Sequence, residues 1–306
     1  MMAKNKKIAV EPAKNRWLTI AIIIGALMLL AYIFASFAED SAKDGNIALI
    51  KINGMIMSDE GMFSSYETNS PDAIRLIKKA SNNDRIKAII FEINSPGGSA
   101  VASKEIADEI KKINKTTIAV IREVGTSGAY WIASATDLII ASPISITGSI
   151  GVIGSYLEFE GLFDKYGINY RRLVAGEHKD IGSPLRNMTK EEEAIIQNQL
   201  DKVHDYFIKE ISQNRKLKED DVRKIANGLF YLGEEAQSLG LVDMLGNKDS
   251  AVELLEETFN IKEAKVVEYK DEKSFLSSLF GAFSRQSYNA GAEFRRGAVG
   301  GIGVNV

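Results

Sequence analysis

Two short apolar runs, each leading through a glycine turn into a helical pattern, most constrain the fold of this chain. The first run, 86–93, is apolar at nearly every position, which is typical of a strand in a sheet covered on both faces. It ends at the turn 94–98 (Asn-Ser-Pro-Gly-Gly) and is followed by a helical pattern over 100–113. The second run, 118–121, is likewise followed by a glycine, and helical spacing begins at Ser127. This alternation of strand and helix predicts an α/β fold with right-handed crossovers.

Local signals predict the remaining elements. Pro71 follows a serine and starts a helix over 71–80. Thr189 and Glu192 match a capping box before a long helix. The other predicted elements are strands over 47–52, 138–141 and near 169–174, a helix near 159–166, and a strand, helix and turn within 228–246.

Ser127 lies where a strand ends and a helix begins, a position that favours nucleophilic chemistry. The free amides and positive dipole end of the helix favour an oxyanion beside its hydroxyl. A simple helix-capping role is the alternative, because serine is a favoured N-cap. Ser149, between two glycines in the segment 146–151, is a second candidate nucleophile. No helix follows Ser149, so the dipole argument does not apply to it, and Ser127 is the first choice.

The glycine pair at the end of the first run is a candidate for the second half of an oxyanion hole. A bare backbone at Gly97 and Gly98 could direct an amide at the same point as the amide of Gly128. An ordinary glycine turn explains the pair equally well. The residues alone leave both interpretations open.

The composition excludes several classes of site and partner. A net charge of −3 gives no electrostatic footprint for nucleic acid. The absence of cysteine excludes a disulfide framework, a thiolate zinc site and a cysteine nucleophile. Two histidines, His178 and His204, are too few for a multi-histidine metal site. We expect no metal and no cofactor, and we interpret His204, inside a helical pattern, as a packing or surface residue.

The N-terminal region contains an uncharged run over 17–37 that is long enough to cross a bilayer as a helix. Basic residues predominate before it and Glu39 and Asp40 follow it, so the positive-inside rule places the N-terminus in the cytoplasm. A cleaved signal peptide ending near 36–38 (Ser-Phe-Ala) is the alternative. The run exceeds the apolar region of about 7 to 15 residues in signal peptides, which favours a retained anchor.

With these stretches placed, the chain resembles the signal peptide peptidase A family of bacterial membrane-anchored serine proteases, in its short, single-domain form. The resemblance covers roughly residues 47–260 and the N-terminal anchor. The matching segments, in the family's order, are 94–98, 126–133, 147–151, 178–184 and 233–243. The family usually has Ala-Ser-Gly-Gly-Tyr-Tyr around its nucleophile; this chain differs at Thr126, Ala129 and Trp131 and keeps Ser127 and Gly128.

The resemblance implies a crotonase-like (Clp protease-like) α/β fold with repeated β-β-α units. It also implies a serine–lysine dyad, with Ser127 as nucleophile and Lys179 as general base. The amides of Gly98 and Gly128 would form the oxyanion hole, and Ser183 would support the lysine amine.

The chemistry of such a dyad sets a condition on the lysine. An ordinary lysine has a pKa near 10.4 and is neutral only about 0.04% of the time at pH 7. Burial must lower that pKa toward about 7–8 for the amine to act as a base. Asp180 would oppose this change, so we expect its side chain to point away from the dyad. His178 is the alternative base, since its pKa needs less adjustment.

The predicted domains follow from the resemblance and the anchor. They are a cytoplasmic tail (1–16), a transmembrane signal-anchor (17–37), a linker (38–46), an extracytoplasmic protease domain (47–270) and a C-terminal extension (271–306) whose glycine-rich end is expected to be disordered.

The function implied is that of a homo-oligomeric serine endopeptidase at the bacterial cytoplasmic membrane. Its substrates would be remnant signal peptides and other apolar or unfolded peptides outside that membrane, and neighbouring subunits could share the dyad. A catalytically silent oligomeric scaffold and an acyl-CoA-processing crotonase are the alternatives. The anchor disfavours the crotonase, because CoA is a cytoplasmic cofactor.

Overall fold

The computed structural model describes residues 20–30, 45–59 and 67–270. The chain divides into two compact units, Met1–Gly45 and Asn46–Val306. In the first unit, 20–30 form helix α1, whose side chains are exposed.

The predicted membrane span is described only in its middle, which α1 occupies. Among the residues that the structure describes, no helix is both long and apolar enough to cross a membrane. The rest of the span 17–37, the tail 1–16 and the extension 271–306 lie outside the described residues, as does all of the linker except its last two positions.

The second unit is organised around one sheet, which has nine strands in the described region. The strands are β1 (Ile47–Met57), β2 (Thr68–Asn69), β3 (Ala88–Gly98), β4 (Thr116–Thr126), β5 (Leu138–Ala141), β6 (Ile146–Gly148), β7 (Phe230–Leu232), β8 (Met244–Leu245) and β9 (Val266–Tyr269).

Eight helices accompany these strands in the described part of this unit. They are α2 (Ser70–Ser81), α3 (Ala100–Ile110), α4 (Gly128–Ser134), α5 (Glu160–Lys165), α6 (Lys190–Arg215), α7 (Glu219–Ile225), α8 (Gly233–Ser238) and α9 (Lys248–Glu257).

The sheet is mostly parallel, and its main path runs β2-β1-β3-β4-β5-β8. Strand β9 adds to β1 in parallel, β6 pairs with the end of β4, and β7 pairs with β6 antiparallel. The carboxyl ends of β3 and β4 are neighbours, and a register shift after Ile93 bends β3 there. The turns that follow these two strands therefore meet at one place.

Both faces of the sheet are covered, as the apolar runs predict. On β3, Ile89, Phe91 and Ile93 pack in one buried cluster with residues of α2, α3 and α4. Ala88 and Ile90 point to the other face and pack in a second cluster with residues of α9. Because side chains alternate along a strand, covering both faces requires apolar residues at successive positions.

The α/β class and most predicted elements are confirmed. The strand predicted near 169–174 is wrong, because the chain has no regular structure from Gly167 until α6 begins. The order β1-β2-α2 is a β-β-α unit, whereas β3 and β4 each lead directly into a helix, so the repeat is only partly present.

Candidate active site

Ser127 occupies a sharp turn between β4 and α4. Its backbone has φ 54° and ψ −124°, a conformation rare for a residue with a side chain. Its amide donates to the carbonyl of Gly148 at 2.8 Å, and its carbonyl accepts from the amide of Trp131 at 3.0 Å, which begins α4. Its hydroxyl makes no capping hydrogen bond to α4. The Ser127 hydroxyl therefore does not cap α4, and a purely capping role is not supported.

Helix α4 is a rigid base for this turn, because all of its residues are buried. The hydroxyl of Tyr130 donates to the carbonyl of Leu241 at 2.9 Å, and burial raises the pKa of Tyr130. The ring of Trp131 stacks on Phe207 of α6, with centroids 4.4 Å apart. Helix α4, which begins directly after Ser127, is thus held against α6 and the loop before β8.

The end of β3 lies directly against the start of α4. A methyl group placed on Gly97 would be 2.8 Å from the amide nitrogen of Gly128 and 2.9 Å from Cβ of Ser127. A methyl group on Gly128 would be 2.2 Å from Oγ of Ser103. Only glycine permits so close an approach at both positions.

The backbone amides of Gly98 and Gly128 both lie near the Ser127 turn. Gly128 is the first residue of α4, so its amide has no acceptor within the helix. The backbone amide of Ser99 donates to the carbonyl of Ile56 in β1 at 2.7 Å. Because the amides of successive residues in a strand point to opposite sides, the Gly98 amide is directed away from β1. The Gly98 nitrogen is 3.4 Å from a methyl group placed on Gly128. Paired amides of this kind suit an oxyanion.

Ser127 and Ser149 line the same cavity of about 430 Å³. Ser149 also has a positive φ, 49°, but its hydroxyl donates to the carbonyl of Gly228 at 3.1 Å. The chain has no helix directly after it. These differences favour Ser127 over Ser149, as the helix-dipole argument does.

Lys179, the predicted general base, does not line the Ser127 cavity within one copy of the chain. Lys179 is exposed on a turn between α5 and α6, where its amide donates to the carbonyl of Gly176 at 3.1 Å. Ser183, on the same turn, accepts from the amide of Leu185 at 3.3 Å, which is a weak hydrogen bond, and His178 lines a different cavity. The burial expected of a basic lysine is therefore absent in a single copy.

Asp180 is held by two guanidinium groups. Its carboxylate accepts from Arg172 at 2.8 Å and from Arg186 at 2.9 Å, and these bonds hold the pKa of Asp180 well below its usual range. Arg186 also binds Glu192 at 2.6 Å, where the hydrogen bond lowers the pKa of Glu192 to about 2. The loop that carries Lys179 is thus tied to the first turn of α6.

The structure adds three residues that the sequence did not assign to the site. His204, interpreted above as a packing or surface residue, lines the Ser127 cavity together with Asp201 and Gln197. Their spacing of four and three residues places them on one face of α6. The signal in the sequence that could have identified these residues is the spacing of polar side chains beside the apolar positions of α6.

In the part of the chain that the structure describes, no group of three or more histidine, cysteine, aspartate or glutamate residues is arranged to hold a metal ion.

Comparison with known proteins first gives the class. A family model described as Clp protease matches residues 44–142. A solved structure, a serine-to-alanine mutant of the "1510-N membrane-bound stomatin-specific protease", is 17% identical with a TM-score of 0.50, and the match covers 74% of this chain and 99% of that one. At this identity the likeness concerns the fold alone. The mixed α/β fold with its mostly parallel sheet is consistent with the Clp protease-like class of folds.

The family is given by the more similar sequences. A family model described as peptidase family S49 matches residues 109–262. The chain is 33% identical to "Putative protease MJ0651" of Methanocaldococcus jannaschii over 88% of each chain. It is 33% identical to "Putative signal peptide peptidase SppA" of Enterococcus faecium over 79% of this chain and 72% of the relative. The chain belongs to peptidase family S49, as its resemblance to signal peptide peptidase A predicts.

Proposed function

We propose that this serine peptidase is a membrane-anchored endopeptidase in which Ser127 is the nucleophile and Lys179 the general base. The observation that carries the proposal is the strained turn at Ser127, whose hydroxyl makes no capping bond and which lines an open cavity. Glycines pack so closely around this turn that no other residue would fit.

The proposed reaction proceeds through an acyl-enzyme. Neutral Lys179 accepts the proton of the Ser127 hydroxyl, and the oxygen attacks the scissile carbonyl. The amides of Gly98 and Gly128 donate to the oxyanion, the protonated lysine then donates its proton to the leaving amine, and water hydrolyses the ester. Ser149 would line the cavity as a polar wall residue and take no part in the proton transfers.

Lys179 would reach Ser127 from a neighbouring copy of the chain. In one copy it is exposed and lies outside the Ser127 cavity. The same region, between β6 and α6, exposes large apolar side chains that a soluble chain normally covers. Four of them are 68–96% exposed: Ile153, Leu157, Tyr166 and Leu173. A second copy covering this surface would bury Lys179 and favour its neutral form, and Ser183 would then support the amine.

The substrates and location are proposed from the relatives and the sequence. One relative is named a signal peptide peptidase, which suggests remnant signal peptides and other apolar or unfolded peptides. The uncharged run 17–37 would anchor the chain in the cytoplasmic membrane of a bacterium, with the peptidase domain outside.

The proposal is tested first with single variants of the full chain. We expect Ser127→Ala and Lys179→Ala each to lower peptide hydrolysis at least about a thousandfold, because both groups act in one step. Ser149→Ala should retain activity within a few fold. A serine-reactive fluorophosphonate should label the wild type and Ser149→Ala but not Ser127→Ala. If labelling is lost only in Ser149→Ala, Ser149 is the nucleophile instead. If neither the wild type nor any variant is labelled, the catalytically silent scaffold is favoured.

A mixing experiment tests whether the dyad joins two copies. Ser127→Ala and Lys179→Ala chains are unfolded together, refolded as a mixture and assayed beside each variant alone. If one copy supplies the serine and another the lysine, the mixture regains a measurable fraction of wild-type activity. An inactive mixture of the same oligomeric size would place both groups in one copy.

A further inference from the structure

The Ser127 cavity has a polar wall that the peptidase mechanism does not use. Helix α6 contributes Gln197, Asp201 and His204 to the cavity that Ser127 also lines. These three side chains are hereafter called the α6 wall. A peptide whose scissile carbonyl lies at Ser127 would place a neighbouring side chain against this wall.

Asp201 is the charged member of the wall, and no arginine or lysine within the described residues pairs with it. Its carboxylate accepts from the amide of Gln197 at 2.8 Å, which is a neutral partner. Three other acids of α6 are paired with cations: Glu192 with Arg186, Asp205 with Arg223 and Glu210 with Lys111. The side chain of Asp201 is exposed, so its carboxylate gives this wall a negative charge that a cationic ligand can approach.

His204 contributes a second unsatisfied group. Its Nε2 atom is shielded from solvent and makes no hydrogen bond within the described part of the chain. A buried polar atom without a partner costs about 1–3 kcal/mol, so such an atom is commonly explained by a ligand or water that completes it. His204 lines the same cavity as Asp201, although its Nε2 atom has no surface open to solvent in this conformation.

We infer that the α6 wall is a subsite for a basic side chain, arginine or lysine, of the peptide substrate. A guanidinium or ammonium group offers several N–H donors and a positive charge, which match the carboxylate of Asp201. Leu200 and Val152 also line the cavity and can pack against the methylene stem of such a side chain. The inference rests on the proposed function, since it assumes that a peptide occupies the cavity.

The test compares arginine with citrulline, which has nearly the same shape and no charge. Peptides cleaved by the full chain are prepared with either residue at each position near the cut, and kcat/KM is measured. At one position we expect arginine to be preferred about tenfold, as one charge-assisted hydrogen bond provides. Asp201→Asn should reduce that ratio to about one. Asp205→Asn, which removes a carboxylate from α6 outside the cavity, should keep the wild-type ratio.

Binding separates the subsite from the peptidase activity. Fluorescent versions of the same peptides are titrated into Ser127→Ala chains with and without Asp201→Asn, and anisotropy is recorded. An arginine preference that disappears with Asp201 supports the subsite even if no peptide is cleaved, in which case the proposed function falls. Two results would overturn the subsite: equal cleavage or binding of the arginine and citrulline peptides, or an arginine preference that survives Asp201→Asn. Either result would leave the proposed function standing.

Discussion

At the scale of single residues, the site depends on positions where a side chain would not fit. Gly98 lies beside the β1 backbone, and a methyl group on it would be 2.1 Å from the carbonyl oxygen of Ile56. That contact is with backbone, so it cannot be relieved by a rotamer change. The strained backbone of Ser127 at the end of β4 and the close packing of Gly98 at the end of β3 both occur where strand ends approach each other closely.

We predict that Gly98→Ala and Gly161→Ala change stability in opposite directions. Gly98→Ala should destabilise the fold by about 1–3 kcal/mol through overpacking and lower kcat by about a hundredfold or more, because the Gly98 amide moves. Gly161 lies in α5 with nothing within 4 Å of its added methyl group, so alanine should stabilise by up to about 1 kcal/mol. Chemical denaturation and peptide hydrolysis measure both effects.

The outcome that would count against this account is full activity in Gly98→Ala. Such a result would mean that the β3 turn can shift away from β1 without moving the amide, and the oxyanion hole would then have to be built from other donors.

At the scale of elements, the loop that carries Lys179 is positioned by charge. Arg186 links Asp180 of this loop to Glu192, the N3 residue of the capping box at the start of α6. The side chains of Arg186 and Asp180 are each 15% exposed and that of Glu192 is 5% exposed, so the carboxylates depend on the guanidinium for compensation. The pattern of Thr189 and Glu192 predicted the cap, but not the arginine that completes it.

We predict that this network makes stability depend on acid pH. The pKa of Glu192 is lowered by its Arg186 hydrogen bond from 4.5 to about 2. A lowered pKa in the folded state means that the contribution to stability is present above pH ~4.5 and is lost as pH falls toward about 2. The melting temperature of the wild type should therefore fall as pH decreases through this range.

Arg186→Gln tests the cause. The variant should melt at a lower temperature than the wild type near neutral pH and should lose less stability on acidification, because the carboxylates no longer have the guanidinium. Arg171→Gln removes a guanidinium from the same loop, where the side chain is exposed, and should behave like the wild type. Parallel pH profiles for wild type and Arg186→Gln would show that other groups control the acid response.

At the scale of the whole molecule, the last strand of the sheet in the described part of the chain pairs with the first. Strand β9 pairs in parallel with β1, with Lys51 and Glu268 forming an ion pair at 3.1 Å across the two strands. The hydroxyl of Tyr269 accepts from the side-chain amide of Asn83 at 2.9 Å. These contacts close an edge of the sheet that would otherwise be open to other strands.

We predict that Tyr269→Phe lowers the free energy of unfolding by about 0.5–1.5 kcal/mol, since it removes one partly buried hydrogen bond. Tyr170→Phe, at a 41% exposed position, should have no measurable effect. Urea denaturation of both variants checks this. Equal stabilities would indicate that Asn83 finds water as an alternative partner.

The apolar runs 86–93 and 118–121 gave accurate predictions because both faces of their strands are buried, so nearly every position carries the signal. The pattern near 169–174 predicted a strand that is absent, because a strand needs a partner and no neighbour in the sheet is available there. Strand β9 was not predicted, because only four residues pair at the edge of the sheet and their alternation of apolar and polar residues is weak. Val101, an apolar residue of the helical pattern over 100–113, shows the same limit, because its side chain is 63% exposed.

The sequence by itself determined the α/β class, the helix starts and the strand-to-helix turn at Ser127, because periodicity, capping residues and glycines act over a few neighbouring positions. Only the tertiary structure decided that the turns after β3 and β4 meet, and that His204 and Asp201 line the Ser127 cavity. Those contacts join residues far apart in the chain, and they depend on strand order and helix packing rather than on local pattern. Within one copy, the tertiary structure also separates Lys179 from the cavity that Ser127 lines, a separation that local pattern could not reveal.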